Sequence, residues 1–249
     1  MSDFDRTYAR TAPAARADMA VDAGLRRFML GVYNKMGLGL VLSAVMAFVT
    51  SGPLQPLMFQ VTATGRLAGP TALGMIVAFA PLAILLFSAF AMRNASPRSA
   101  SIVYWSVVTL IGASLGVLLL AYTGTSVVST LLITATAFGA LSLFGYTTKK
   151  DLTGMGSFLI MGLIGLMLAM LVNLFLQSGL MAFIISGAGV LIFAGLTAYD
   201  TQRLKMTYYE LGGNEAALGV ATSYGALSLY LDFINLFQFL LMFLGVRRD

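Results

Sequence analysis

Seven apolar stretches, each about 20 residues long, dominate this sequence. A helix of about 20 apolar residues can cross the hydrocarbon core of a bilayer, whereas the strands of a membrane β-barrel alternate in polarity, and these stretches do not. The sequence therefore predicts an all-α polytopic membrane protein, with seven transmembrane helices in residues 28–249. The stretches are Phe28–Val49, Ala72–Met92, Ile102–Tyr122, Ser126–Tyr146, Met155–Leu176, Leu180–Tyr199 and Ser223–Leu244.

Composition excludes several kinds of chemistry. Charged residues make up only 10% of the chain, against about 25% in soluble domains, so they are too few to cover a water-facing surface. The chain has no cysteine and no histidine, which excludes disulfides, thiolate or imidazole catalysis and zinc-type sites. It has no phosphate-binding GxxxxGKS or GxxxxGKT motif, so any transport would run downhill. We expect no cofactor and no nucleic-acid partner, because the basic residues lie in short clusters that are typical of membrane topology signals.

The loops predict an orientation in the membrane. Basic pairs follow the second, fourth and sixth stretches, whereas the loops after the first, third and fifth stretches hold one basic residue between them. Because loops rich in lysine and arginine stay inside, this alternation places the N-terminus in the cytoplasm and the protein in the cell (inner) membrane. Residues 1–27, which mix both signs of charge, are interpreted as a mobile cytoplasmic tail. The basic pairs are Arg93 and Arg98, Lys149 and Lys150, and Arg203 and Lys205.

Three further features of the sequence bear on how the helices are arranged. Seven spans place the C-terminus outside, yet Arg247 and Arg248 follow the last stretch, so either the last segment is re-entrant or local packing overrides the charge signal. The first outer loop, Ser51–Thr71, contains three prolines and is predicted to form an irregular cap. Gly112 and Gly116 form a GxxxG pattern, which is interpreted as a helix-packing surface.

Acidic residues at membrane depth are the strongest functional signal. Asp232 lies near the middle of the last stretch, where a carboxylate costs about 2.5–3.5 kcal/mol, so it needs a partner or water. It marks either an ion or proton path or a buried polar lock between helices. Asp200 closes the sixth stretch and, taken alone, is an interfacial residue. If the sixth helix continues to about Tyr209, the two carboxylates can meet.

Two carboxylates in contact in a low dielectric do not both ionise cheaply, so they share a proton. With that proton, Asp200 and Asp232 form a hydrogen-bonded latch between two helices; without it, they repel each other and attract cations. The pair is thus a candidate pH sensor and a candidate transient ligand set for calcium. Arg93 is interpreted either as an interfacial anchor or as a counter-charge for the aspartates.

Four further polar residues complete the candidate set. Asn235 shares the helix face of Asp232, and Tyr199 precedes Asp200, so both are candidate supporting residues. Asn173 is a candidate interhelical hydrogen-bonding residue. Lys35, about two turns into the first stretch, is interpreted as an anchor that extends to the cytoplasmic interface.

Three segments resemble the Bax inhibitor-1 family, in the style of its bacterial branch. They are the string ALSLYLDFINLF at Ala226–Phe237, the segment AYDTQRLK at Ala198–Lys205, and the segment GYTTKKDL at Gly145–Leu152. The resemblance covers residues 25–248. It implies a seven-helix fold with the last helix at the centre, a di-aspartyl sensor on Asp200 and Asp232, and an arginine at the position of Arg93 that engages the sensor.

The resemblance also implies functions. Family members are described as pH-sensitive calcium leak channels, and some bacterial relatives bind and restrain a membrane-bound ATP-dependent protease. A leak gated by the aspartate pair is the first hypothesis, and a regulatory membrane protein with no transport of its own is the second. One departure argues against calcium conduction. Some bacterial members have an acidic residue in the second helix, whereas Ala80–Ile84 has none, so the cation path is less acidic here.

An enzyme is the third reading. Paired membrane aspartates are also typical of intramembrane aspartyl proteases, in which a shared proton helps to activate water. Those proteases have a Gly-x-Gly-Asp motif, whereas the residues before Asp232 are Leu229, Tyr230 and Leu231. The chain is therefore not expected to be an enzyme. The sequence leaves its oligomeric state open.

Overall fold

A computed structural model describes the backbone of residues 3–62, 67–91 and 95–248, and the side chains of residues 23–62, 67–88 and 95–248. Within these ranges six helices are long and apolar enough to cross a membrane, and a seventh has a shorter apolar part, Ala72–Ser88. The prediction of an all-α polytopic membrane protein is confirmed. The mobile tail at residues 1–27 stays a prediction.

The elements follow one another as the apolar stretches predict, with short connections. The eight helices of the described chain are α1 (Asp3–Ser51), α2 (Gln55–Met58), α3 (Ala72–Ala91), α4 (Pro97–Ala121), α5 (Gly124–Thr147), α6 (Thr153–Leu176), α7 (Gly179–Glu210) and α8 (Glu215–Leu244). The two strands are β1 (Phe59–Val61) and β2 (Leu67–Pro70).

Capping residues set where several helices begin. The side chains of Ser96, Thr123, Ser178 and Asn214 each accept a hydrogen bond from a backbone N–H three residues later, at the starts of α4, α5, α7 and α8. These bonds satisfy amides that have no partner within the helix. The turn from α7 to α8 passes through Gly212–Gly213, both at positive φ, which glycine adopts without steric cost. The turn is short, so α7 and α8 are antiparallel neighbours.

The last helix lies at the centre of the bundle, as expected. It packs against α1, α4, α5 and α7. In the most apolar 18-residue segment of α8, 56% of the residues are buried, compared with 11% in the corresponding segment of α6. Most of α6 therefore faces the surroundings of the bundle, whereas α8 forms its core.

Close contacts join α1 to α4. A Cβ added at Gly112 would lie 2.5 Å from Ser43 Cα, and one at Gly116 would meet the Thr50 hydroxyl. The interpretation of the GxxxG pattern as a packing surface is thus confirmed. The Lys35 ammonium donates to Ser101 Oγ of α4 at 2.9 Å and to Ser223 Oγ of α8 at 2.7 Å. The Tyr104 ring lies beside the same ammonium, so Lys35 contacts both α4 and α8, and its interfacial position stays a prediction.

The first outer loop is more regular than the prolines predict. The helix α2 is followed by an antiparallel hairpin in which Phe59 pairs with Pro70 and Gln60 with Gly69. Met58 and Phe59 are buried and pack with Ala113 of α4. Two buried apolar side chains thus hold the loop on the bundle.

The C-terminal segment shows why a basic pair can follow the seventh span. Helix α8 is continuous over 30 residues. The chain after it pairs with the α4–α5 turn, through Thr123 N–H to Val246 O at 3.0 Å and Arg248 N–H to Ala121 O at 2.9 Å. The Arg247 guanidinium lies over the Tyr122 ring. These contacts favour a full span over a re-entrant segment.

Candidate functional site

A cavity of about 590 Å³ lies between α3, α6, α7 and α8. Leucine and methionine side chains from α3 and α6 form much of its wall. The polar groups come from α7 and α8 and include the carboxyl groups of Asp200 and Asp232. We call this space the acidic cavity.

Helix length brings the two acids together. Helix α7 continues to Glu210, as the meeting of the two carboxylates requires. Helix α8 begins at Glu215, eight residues before the predicted start at Ser223, so both helices extend beyond the apolar stretches by similar lengths. Because α7 and α8 are both longer than predicted at the end where they are connected, Asp200 and Asp232 still lie at similar depths in the bundle.

The geometry of the pair is specific. Ser228 Oγ, one turn before Asp232, donates a hydrogen bond to Asp200 Oδ2. The Asp200 and Asp232 carboxyl groups line the same cavity and interact electrostatically with each other. Asp232 is only 5% exposed, and its Oδ2 is a buried side-chain oxygen without a hydrogen-bond partner in the described residues. Since two carboxylates both accept, a proton on one of them supplies the donor that this pair lacks.

Arg203 interacts electrostatically with Asp200 and lines the acidic cavity. From the sequence it was interpreted only as a topology signal, although its position three residues after Asp200 places it on the same helix face. Arg93 lies outside the described residues, so its predicted role stays a prediction.

Polar residues on α8 continue from the acid along the cavity. Asp232, Asn235 and Gln238 recur every three residues, and all three line the acidic cavity. Asn235 Nδ2 donates to Leu231 O at 2.8 Å, which leaves the amide oxygen as the ligand group. Sequence reasoning missed Gln238 and Ser228, although their spacing from Asp232 was a signal for both.

The other two candidates differ in position. Tyr199 lines the acidic cavity, and its ring lies against Gly156 of α6. Asn173 is not brought to the site: it lies in the last turn of α6, where its Oδ1 accepts from Ser178 N–H at 3.1 Å. Asn173 thus fixes the α6–α7 turn at the end of the bundle away from the acids.

The α5–α6 loop is fixed to α7 next to the site. Gln202 accepts from Leu152 N–H and donates to Lys150 O, both at 2.8 Å. Hydrogen bonds from the Thr153 hydroxyl and backbone N–H hold the pKa of the Asp151 carboxyl below its ordinary value. The start of α6, and with it one wall of the acidic cavity, is therefore held to the helix that carries Asp200.

Comparisons with known proteins identify the family. The sequence profile described as "Inhibitor of apoptosis-promoting Bax1" matches residues 25–249. The chain belongs to the Bax inhibitor-1 family. An uncharacterised protein of Caulobacter vibrioides is 62% identical over the full length of both chains. A second, from Rickettsia prowazekii, is 45% identical over 97% of this chain and 99% of its own.

A third relative carries a location in its name. The inner membrane protein YbhL of Escherichia coli K12 is 40% identical over 94% of this chain and 98% of its own. The resemblance stated from three segments is thus confirmed over the whole hydrophobic region. In the described part of this chain, no three or more His, Cys, Asp or Glu residues are placed together so that they could hold a metal ion.

Proposed function

We propose that this protein is a pH-sensitive passive leak for calcium or similar cations across the inner membrane, gated by Asp200 and Asp232. The observation that carries the proposal is the placement of both carboxyl groups in one cavity, with one buried carboxylate oxygen left without a partner among the described residues. A proton shared by the pair joins α7 to α8.

Loss of that proton changes the energy of the closed arrangement. Two carboxylates in contact repel each other, and water or a cation must enter to compensate the charge. The acidic cavity is bounded by α3 and α6 on the side away from the core, so these helices are the elements that can separate. Raising the pH therefore favours the conducting state.

Ligands for a passing cation follow the acids along α8. The carboxylates of Asp200 and Asp232 and the amide oxygens of Asn235 and Gln238 are hard oxygen donors of the kind that calcium takes. Stable calcium sites use six to eight oxygens, so this smaller set suits brief coordination during passage better than storage. Arg203 and Arg93 are the candidate cations that compete for the carboxylates.

The proposal is tested with purified protein in liposomes that contain a calcium-sensitive dye. Wild-type protein should give a calcium flux that increases across a rising pH series. Asp232→Asn should abolish the pH dependence, because an amide cannot release the shared proton. Ser228→Ala should shift the pH of half-maximal flux upward without abolishing it, because Ser228 favours the ionised form of Asp200.

Glu215→Gln is the matched control. It removes an acid from the same helix, but Glu215 is exposed at the start of α8 and should leave the pH profile unchanged. Absence of flux from folded wild-type protein, or an unchanged pH profile in Asp232→Asn, contradicts the proposal. A folded protein without flux would favour a regulatory role, in which residues 1–27 contact a membrane protease or another membrane protein.

A further inference from the structure

A second cavity lies on another side of α8, between α1 and α5. Helix α1 packs against α4 and α8, and α5 packs against α7 and α8, so the two helices flank the central helix. The space between them has a volume of about 540 Å³ and is lined by residues from α1 and α5. We call it the α1–α5 crevice; it is separate from the acidic cavity.

The crevice has an apolar body and a basic rim. Met29 and Leu30 of α1 face Phe138 and Leu143 of α5 across it. The side chain of Arg26 lines the end of the crevice nearest the start of the apolar stretch at Phe28, which is the predicted cytoplasmic end. An arginine at that level lies at the depth of the phosphate groups of a bilayer, and the apolar walls lie at the depth of the acyl chains.

The dimensions fit one leaflet. Half of a hydrocarbon core is about 15 Å thick, which corresponds to about ten residues of helix from Arg26 onward. On α1 the crevice extends over eight residues, from Arg26 to Tyr33, and so fits within that length. Phe138, one of its lining residues, meets Phe233 of α8 edge to face with ring centroids 5.4 Å apart, so the central helix supports this part of the wall.

We propose that the α1–α5 crevice binds an anionic phospholipid, with the phosphate on Arg26 and an acyl chain along Met29, Leu30, Phe138 and Leu143. A membrane is the only source of a ligand with this combination of a negative head and a long apolar chain at this depth. The proposal concerns binding and does not depend on calcium flux.

The base of the crevice is connected to the helix that carries Asp200. Thr201 Oγ1 donates to Thr197 O, so Ser142 donates to Thr201 at 2.9 Å and Tyr33 donates to Ser142 at 2.5 Å. This chain of three hydroxyls joins α1, α5 and α7. A lipid that contacts Tyr33 thus contacts a network that ends one residue from Asp200.

Native mass spectrometry of the detergent-purified protein, titrated with phosphatidylglycerol or phosphatidylcholine, tests the binding. Wild-type protein should retain phosphatidylglycerol in preference to phosphatidylcholine, and Arg26→Gln should weaken phosphatidylglycerol retention about fivefold, as expected for one basic residue near a charged lipid. Arg27→Gln is the matched control, because both arginines are exposed but only Arg26 lines the crevice.

A third variant tests the apolar part of the site. Leu143→Trp fills the crevice and should reduce retention of both lipids, while circular dichroism reports whether it folds. Equal losses in Arg26→Gln and Arg27→Gln would overturn the proposal, because they indicate general attraction to the surface. Retention that does not distinguish the two lipids, or that inorganic phosphate abolishes, would overturn it as well.

Discussion

Two sides of α8 differ in how they meet the neighbouring helices. On the side that faces α1 and α4, buried hydrogen bonds join the three helices. On the side that faces α3 and α6, a cavity that holds two carboxyl groups lies between α8 and these helices. On the first side, Ser43 of α1 donates to Val108 O of α4 at 3.1 Å, and the Tyr230 hydroxyl of α8 donates to Ser43 at 2.7 Å. Tyr104 of α4 donates to Lys35 O at 2.7 Å. We call this the tight side.

On the second side, which we call the loose side, polar groups are not all satisfied. Asp232 Oδ2 has no hydrogen-bond partner in the described part of the chain. The wall of the acidic cavity includes α6, which is much less buried than α8. A fully satisfied polar network makes helices rigid, whereas an unsatisfied buried group favours rearrangement. The difference indicates that a change in protonation would move α3 and α6 rather than α1 and α4.

The largest expected effect is a movement confined to the loose side. The chain has no cysteine, so pairs of introduced cysteines can carry spin labels without background. Labels at Leu82 of α3 and Met167 of α6, which line the acidic cavity, should change their distance distribution between acidic and alkaline pH. Labels at Leu38 and Ile102, exposed on α1 and α4, should not. A shift on the tight side alone would reverse the comparison.

A smaller effect is expected from one methyl group on the tight side. Gly112→Ala should lower the free energy of unfolding by about 1–3 kcal/mol relative to Gly165→Ala, because the new Cβ meets the Ser43 backbone. At Gly165 of α6 nothing lies within 4 Å of an added Cβ, so this control isolates the gain in helix propensity that both variants share. The single tryptophan, Trp105, reports unfolding in mixed micelles. Equal stabilities would mean that α1 and α4 can separate without cost.

The smallest effect concerns one hydrogen bond. Tyr230→Phe and Ser43→Ala, alone and combined, form a double-mutant cycle for the bond between α8 and α1. Their coupling should be about 0.5–1.5 kcal/mol, as for a typical buried hydrogen bond, measured by the same unfolding assay. A coupling near zero would show that the tight side depends on packing alone.

The positions of the spans were predictable from sequence because a helix surrounded by lipid must be apolar over about 20 residues, whatever its neighbours are. The helix starts at Ser96, Thr123, Ser178 and Asn214 depend equally on local hydrogen bonds. The α2–hairpin cap was not predictable from its prolines, since it depends on Met58 and Phe59 packing against α4.

The two acids of the site could be predicted from the sequence, but the residues around them could not. The cost of an acid at membrane depth marked Asp232, and the length of the sixth helix decided whether Asp200 could reach it. Asn173 was misplaced because a polar residue in an apolar stretch does not show which helix faces it. Ser228 and Gln238 were missed for the same reason, although their spacing along α8 was visible.

The sequence by itself determined that the chain is an all-α membrane protein with seven apolar helical stretches and an acid in the middle of the last, because both depend on the free energy of transferring side chains into hydrocarbon. The tertiary structure alone decided that α8 is surrounded by four helices, that Ser228 donates to Asp200, and that Arg26 lies at the rim of a crevice between α1 and α5. These facts depend on which helix faces are in contact, and apolar helices in lipid choose their neighbours by shape and by a few polar bonds.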